Sequence, residues 1–258
     1  MRRGALAAAV ILACATCVLP ARAEKLITSL SSSRVLITSS YAGAELVLFG
    51  VIERDGATVA RSGGYDIVIT ARGPRGPLVV RQKRQAWPIW LNLDQRRYID
   101  IPAFLAVLST RALKDITGPE MAERLRIGID HIIKEPDALT RDFDREAAGY
   151  RQALIRLKQE RALFSADERA VTFLSPNIFR AVIKLPAVAP LGTYEIESRL
   201  FVGGTPLAQS DNQLEVSKIG FEAIVAATAR DYPWLYGLVI CFLSLFSGYL
   251  AHVLFRRN

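Results

Sequence analysis

The chain has 258 residues, 51% of them hydrophobic, and a formal net charge of +8. Five of its 33 basic residues lie in the two terminal segments, which leaves 28 against 25 acidic residues, or about +3, for the part between them. A basic excess of this origin does not indicate a polyanionic partner and argues against nucleic-acid binding.

Residues 1–23 have the pattern of a secretory signal peptide. Arg2 and Arg3 precede an apolar run, and Ala21-Arg22-Ala23 supplies an Ala-x-Ala cleavage pattern. The mature chain is therefore expected to begin near Glu24. A lipoprotein signal ending at Cys14 is a second interpretation, but the residues that follow this cysteine stay apolar, where a lipid anchor would need a polar tether.

The mature domain is expected to be mainly β with a helical insertion. Residues 24–101 read as a first β-sandwich part, with a hairpin turn at Asp55-Gly56, because short apolar runs alternate with turn residues. Residues 102–165 are predicted as the helical insertion, with helices over 103–115 and 142–163. Residues 166–218 are predicted as a second β-sandwich part.

Leu191-Gly192-Thr193-Tyr194 resembles the start of an immunoglobulin-like strand, in which a tyrosine hydroxyl closes a corner. The predicted fold is thus one or two immunoglobulin-like β-sandwich units followed by a transmembrane helix.

The C-terminal part is predicted as a juxtamembrane helix (219–233), a transmembrane helix (234–255) and a cytoplasmic stub (256–258). The uncharged run over 234–255 would span about 33 Å as a helix, enough for a hydrocarbon core of about 30 Å. Trp234 and Tyr236 mark one interface, and Arg256 and Arg257 favour the cytoplasm for the other end. The protein is expected in the inner membrane, with its domain in the periplasm.

The sequence contains no recognisable catalytic, cofactor-binding or metal-binding motif, so we expect no enzymatic activity and no cofactor. Cys14 and Cys17 belong to the signal peptide and Cys241 to the span, which leaves the domain between them without a thiol. This composition excludes a disulfide, a thiol nucleophile and a thiolate metal site in the domain.

Two features indicate possible contacts. A basic segment, residues 72–97, is either a patch for an anionic partner or an edge hairpin kept soluble by its charges. Asp94 alone opposes its seven cations, which are Arg72, Arg75, Arg81, Lys83, Arg84, Arg96 and Arg97. Small residues in the span, spaced to share one helix face, predict a helix-packing interface: Gly237, Cys241, Ser244, Gly248 and Ala251.

Several stretches together resemble a family of transmembrane proteins of alphaproteobacteria to which no activity is assigned. They are Ser33 to Gly50, Leu174 to Leu185, Pro190 to Tyr194, and Tyr236-Gly237-Leu238 at the start of the span. The resemblance covers nearly all of the mature chain and brings no catalytic residues. Members are often encoded beside sulfite-exporter-type permeases, which implies an accessory role in the export of small anions.

Three functional hypotheses follow. The first is a non-catalytic accessory subunit of an integral membrane protein, such as a permease, in the lipid bilayer. The second is an envelope-tethered binding module that uses the basic 72–97 segment. The third and most remote is a hydrolase in the domain outside the membrane.

Overall fold

The computed structural model describes residues 24–54, 64–133, 141–219, 225 and 228–255. The predicted signal peptide, the Asp55-Gly56 turn, most of the juxtamembrane helix and the cytoplasmic stub lie outside these residues. The described residues form these strands: β1 (Lys25–Leu30), β2 (Arg34–Ile37), β3 (Gly43–Glu53), β4 (Asp66–Arg72), β5 (Arg75–Ala86), β6 (Ile89–Pro102), β7 (Leu105–Ser109), β8 (Phe164–Asp167), β9 (Val171–Ser175), β10 (Ile178–Pro186), β11 (Gly192–Val202) and β12 (Thr205–Lys218). The helices are α1 (Leu113–Ile116), α2 (Pro119–Arg124), α3 (Ile129–Ile132), α4 (Arg141–Glu160) and α5 (Pro233–Phe255).

The strands form two main sheets, and the prediction of a mainly β fold is confirmed. The first sheet has the order β1-β3-β10-β9, and the second has the order β2-β12-β11-β4-β7-β8. One buried cluster contains side chains of both sheets, among them Leu48 and Phe179 from the first and Ile69 and Leu200 from the second. The sheets therefore pack as a β-sandwich.

The two predicted β parts share both sheets. β3 pairs with β10, and β4 pairs with β11, so in each sheet a strand from residues 24–101 pairs directly with a strand from residues 166–218. Most of these pairings are antiparallel, whereas β12–β2 and β7–β8 are parallel. Each main sheet therefore contains strands from both predicted parts, and the two main sheets form a single sandwich.

The prediction of a helix over 103–115 is wrong. Leu105–Ser109 is strand β7, buried along its whole length between β4 and β8, and helix α1 covers only Leu113–Ile116. A strand covered on both faces shows no alternation, so its apolar run can resemble a helix face. The helix predicted over 142–163 is confirmed in α4.

The predicted tyrosine corner is present at the start of β11. The hydroxyl of Tyr194 donates a hydrogen bond to the carbonyl oxygen of Pro190 at 2.8 Å. Its ring packs against Phe104, with ring centroids 5.4 Å apart. Burial raises the pKa of the Tyr194 hydroxyl well above its ordinary value, so the hydroxyl remains a neutral donor.

The β5–β6 hairpin continues the β4–β7 pair without a break. Arg72 pairs with Leu105, and Arg75 pairs with Pro102. Between them, the amide of Gly73 donates to the carbonyl of Phe104 at 2.9 Å, and the amide of Ala103 donates to the carbonyl of Pro74 at 2.8 Å. The hairpin is therefore the outward extension of two strands of the second sheet.

We expect Gly73→Ala to destabilise the domain, because its new Cβ would lie 2.9 Å from the Cβ of Phe104 and 3.3 Å from the ring of Tyr194. Overpacking of this kind costs about 1–3 kcal/mol. Gly76→Ala is the matched control, since a Cβ at Gly76 meets nothing within 4 Å. Urea unfolding of the full chain in detergent, followed by circular dichroism, measures both changes, and equal stabilities of the two variants would contradict this account.

Candidate functional site: a basic hairpin and an uncovered membrane helix

The seven cations of the basic segment occupy different environments. Arg72 is buried, and its guanidinium binds Glu197 with 2.6 Å between Nη1 and Oε2. Arg75 binds Asp100 at 2.8 Å, and Arg84 binds Asp94 at 2.9 Å. Arg72 therefore does not contribute to an exposed patch, because it sits in β4 at the centre of the second sheet.

The remaining cations lie on two different faces of the hairpin, because successive side chains of a strand point to opposite faces. Arg81 and Lys83 are two residues apart in β5 and share one face, and Arg97 lies on that face opposite Val79. All three cations are exposed, and the part of the chain that the structure describes gives none of them an ion pair. The opposite face carries Arg96, which is only half-exposed.

Helix α4 covers the opposite face of the hairpin. The hydroxyl of Tyr150 donates to Oε1 of Gln82 at 3.3 Å, and Nζ of Lys158 donates to the carbonyl of Ala103 at 3.2 Å. Burial, with a smaller contribution from Arg161, lowers the pKa of Lys158 from its ordinary value. The helix thus runs along the hairpin from its base, and a cleft of about 1020 Å³ separates them, lined by Arg81, Lys83, Arg84, Arg96 and Arg156 among others.

A run of large apolar side chains forms the hairpin tip. Trp87 is 88% exposed, Ile89 is 55% exposed and Trp90 is 65% exposed. Leu91 extends this exposed surface along β6. Contiguous exposed apolar side chains with charged neighbours mark interaction surfaces more often than isolated ones do.

A buried charge cluster ties the base of the hairpin to the second sheet. Glu197 binds Arg72 through one carboxylate oxygen and Arg199 through the other. The same two guanidinium groups donate to the carbonyl oxygens of Arg126 and Leu125, respectively. The role of Arg199 was not predicted from the sequence, although its alternation with Glu197 along β11 places both side chains on one face.

The span α5 is confirmed as a helix long and apolar enough, by length and composition, to cross a membrane. A Cβ added at Gly237 or Gly248 would meet nothing within 4 Å. The hydroxyl of Ser244 donates to the carbonyl of Ile240 at 2.9 Å, so its polar group is satisfied within the helix. The helical repeat places the small residues Gly237, Cys241, Ser244, Gly248 and Ala251 on one face.

The opposite face of α5 is bulky. A shallow apolar groove on that side is lined by Leu238, Val239, Phe242, Leu243 and Phe246. The span therefore has a flat face on which another helix can approach closely and a bulky face suited to lipid. In the part of the chain that the structure describes, no group of three or more His, Cys, Asp or Glu side chains could hold a metal ion.

Comparisons with known proteins give one family match. The family model described as "Putative transmembrane protein (Alph_Pro_TM)" matches residues 25–257. No curated protein matches the sequence. Among solved structures, the chain is similar to Spo0M, a sporulation control protein from Bacillus subtilis, at 11% identity and a TM-score of 0.31. That similarity covers 81% of this chain and 56% of the other, so this chain spans little more than half the length of that protein.

We expect Glu197→Gln to lower the free energy of unfolding by about 3–5 kcal/mol, because it leaves the buried guanidinium of Arg72 and the largely buried guanidinium of Arg199 without their carboxylate. Glu215→Gln is the control: its pair with Arg34 is solvent-exposed and should contribute about 0–1 kcal/mol. Urea unfolding of both full-length variants measures the difference. A loss for Glu197→Gln no larger than that of the control would contradict a stabilising role for the buried cluster.

Proposed function

From the premise that this chain belongs to the family described as "Putative transmembrane protein (Alph_Pro_TM)", we propose that it is a non-catalytic accessory subunit of a polytopic membrane protein. In this proposal α5 packs against a helix of the partner, and the β-sandwich lies on the periplasmic side. The partner that we propose is a small-anion exporter of the sulfite type, and this choice rests on the family resemblance.

The small-residue face of α5 is the observation that carries the proposal. Lipid tails are as apolar as leucine side chains, so helices in a bilayer associate through close packing and hydrogen bonds. The small residues extend over four turns, from Gly237 to Ala251. A helix that served only as a tether would have no need for two chemically different faces.

The proposed orientation rests on the residues at the two ends of the span. Tyr232 and Trp234 are exposed side chains where α5 begins, and aromatic residues of this kind are enriched at the membrane interface. Arg256 and Arg257 follow the other end in the sequence, and basic residues favour the cytoplasmic side. The domain, which precedes the span, would then lie in the periplasm.

The exposed cations of the hairpin favour a second candidate function. Arg81, Lys83 and Arg97 are exposed and share one face of the hairpin, so an envelope-tethered binding module that recognises an anionic partner is the alternative. The two candidates place the binding surface on different parts of the chain, and one experiment can separate them.

We expect the full chain, purified from native membranes in mild detergent, to retain an integral membrane protein that Gly237→Leu and Gly248→Leu release. Overpacking at a helix contact costs about 1–3 kcal/mol, so the recovered partner should fall by about fivefold or more. Quantitative mass spectrometry of the purified complex measures this loss.

Val239→Leu is the matched control, because it adds bulk to the opposite face of α5. Retention of the partner by both glycine variants would refute docking through the small face. If the partner were instead lost in Arg81→Gln and Lys83→Gln, the binding-module alternative would replace the proposal.

A further inference from the structure

The chain leaves the β-sandwich towards the membrane at a definite end of the second sheet. Arg72 of β4 pairs with Glu195 of β11, which pairs with Gln213 of β12. β4 therefore ends, β11 begins and β12 ends at the same end of the sheet. The hairpin projects from this end, and the chain also leaves it at Lys218 for the span.

The hairpin is directed away from the sheet by its backbone pairing. Since the β4–β7 ladder continues into β5–β6, the hairpin extends along the strand direction rather than folding back over the sandwich. Helix α4 runs beside it from Lys158 at the base to Tyr150 farther out. A ribbon with a helix along one face keeps its direction better than an isolated hairpin.

The length of the hairpin matches the distance that the connection to the membrane allows. β5 has 12 residues, which extend about 40 Å at the rise of a strand. The 14 residues between Lys218 and Pro233 can span at most about 50 Å. The sheet end therefore cannot lie much farther from the bilayer than the hairpin reaches.

The side chains of the hairpin change from apolar at the tip to cationic farther back, and a bilayer surface changes in the same order from its apolar interfacial layer to its phosphates. Trp87, Ile89 and Trp90 form an exposed apolar tip, and tryptophan is the side chain most typical of the interfacial layer. Lys83 precedes Trp87 by four residues, or about 13 Å of strand, and Arg81, on the same face, precedes it by six, or about 20 Å. Cations at that height would lie beside lipid phosphates when the tryptophans lie deeper.

We propose that the tip of the β5–β6 hairpin docks on the bilayer in which α5 is anchored, with Trp87 and Trp90 in the interfacial layer and Arg81 and Lys83 on the phosphates of anionic lipids. Two membrane contacts, the span and the tip, then fix the height and tilt of the β-sandwich above the bilayer. This docking does not depend on a protein partner and stands or falls separately from the accessory role.

Lipid quenching of tryptophan fluorescence tests the proposal on the full chain. The sequence has three tryptophans, so a Trp234→Phe background leaves Trp87 and Trp90 as the reporters. The protein is placed in nanodiscs of phosphatidylethanolamine and phosphatidylglycerol, with or without lipids brominated near the top of the acyl chains. We expect the brominated lipids to quench the emission and the aqueous quencher iodide to reach the tryptophans poorly.

Charge variants test the contact with anionic lipid in the same background. Arg81→Gln and Lys83→Gln should each weaken tip docking about fivefold in anionic nanodiscs, seen as lost quenching and increased access of iodide. Arg180→Gln and Lys184→Gln, which remove two exposed cations of β10 in the other sheet, should leave both readouts unchanged. Circular dichroism confirms that every variant is folded.

Two results would overturn the proposal. Equal emission in brominated and plain nanodiscs, with full access of iodide, would place the tip in water and favour an acidic protein surface as its partner. The second comparison uses nanodiscs without the anionic lipid phosphatidylglycerol. Equal quenching with and without this lipid would exclude the contact between the cations and the phosphates of anionic lipids. Release of a copurifying membrane protein by the glycine variants of α5 bears on neither result.

Discussion

The continuity of one backbone ladder determines most of what is distinctive in this structure. The two hydrogen bonds that join Gly73 to Phe104 and Pro74 to Ala103 carry the pairing of β4 and β7 beyond the end of their sheet. Without them the chain would turn at this point, as loops between strands normally do. With them, the β4–β7 pair of the core continues as the projecting β5–β6 hairpin. The packing of Tyr194 on Phe104 stabilises the point where the hairpin leaves the sandwich.

The buried charges next to this point have a structural explanation. Arg72 and Arg199 lie on neighbouring strands, and Glu197 lies between their guanidinium groups. The two cations also hold the carbonyl oxygens of Arg126 and Leu125, which follow helix α2. A carboxylate with two arginines thus joins the second sheet to the helical segment at the base of the hairpin, where an apolar contact could not satisfy those carbonyl groups.

The sequence predicts features that arise from local chemistry. The span follows from an uncharged run of sufficient length, the tyrosine corner from Gly192 and Tyr194, and α4 from its apolar spacing. It does not predict features that depend on distant pairing. Arg72 looks like one more surface cation until β11, more than 120 residues later, brings Glu197 beside it. For the same reason β7 resembled a helix, because only the tertiary structure shows that all five of its residues are buried and that it pairs with β4 and β8.

The sharing of both sheets between distant parts of the chain also has a kinetic consequence. Gly50 must meet Phe179, and Thr70 must meet Glu197, before either sheet has its central strands. Closing such long loops costs conformational entropy before any contact compensates it, and topologies of high contact order fold slowly. During synthesis, the apolar side chains of the first strands therefore remain uncovered until β11 has been synthesised. The 30 residues between the end of β11 and the start of α5 include β12, so the last strand of the domain is made only shortly before the anchor leaves the ribosome.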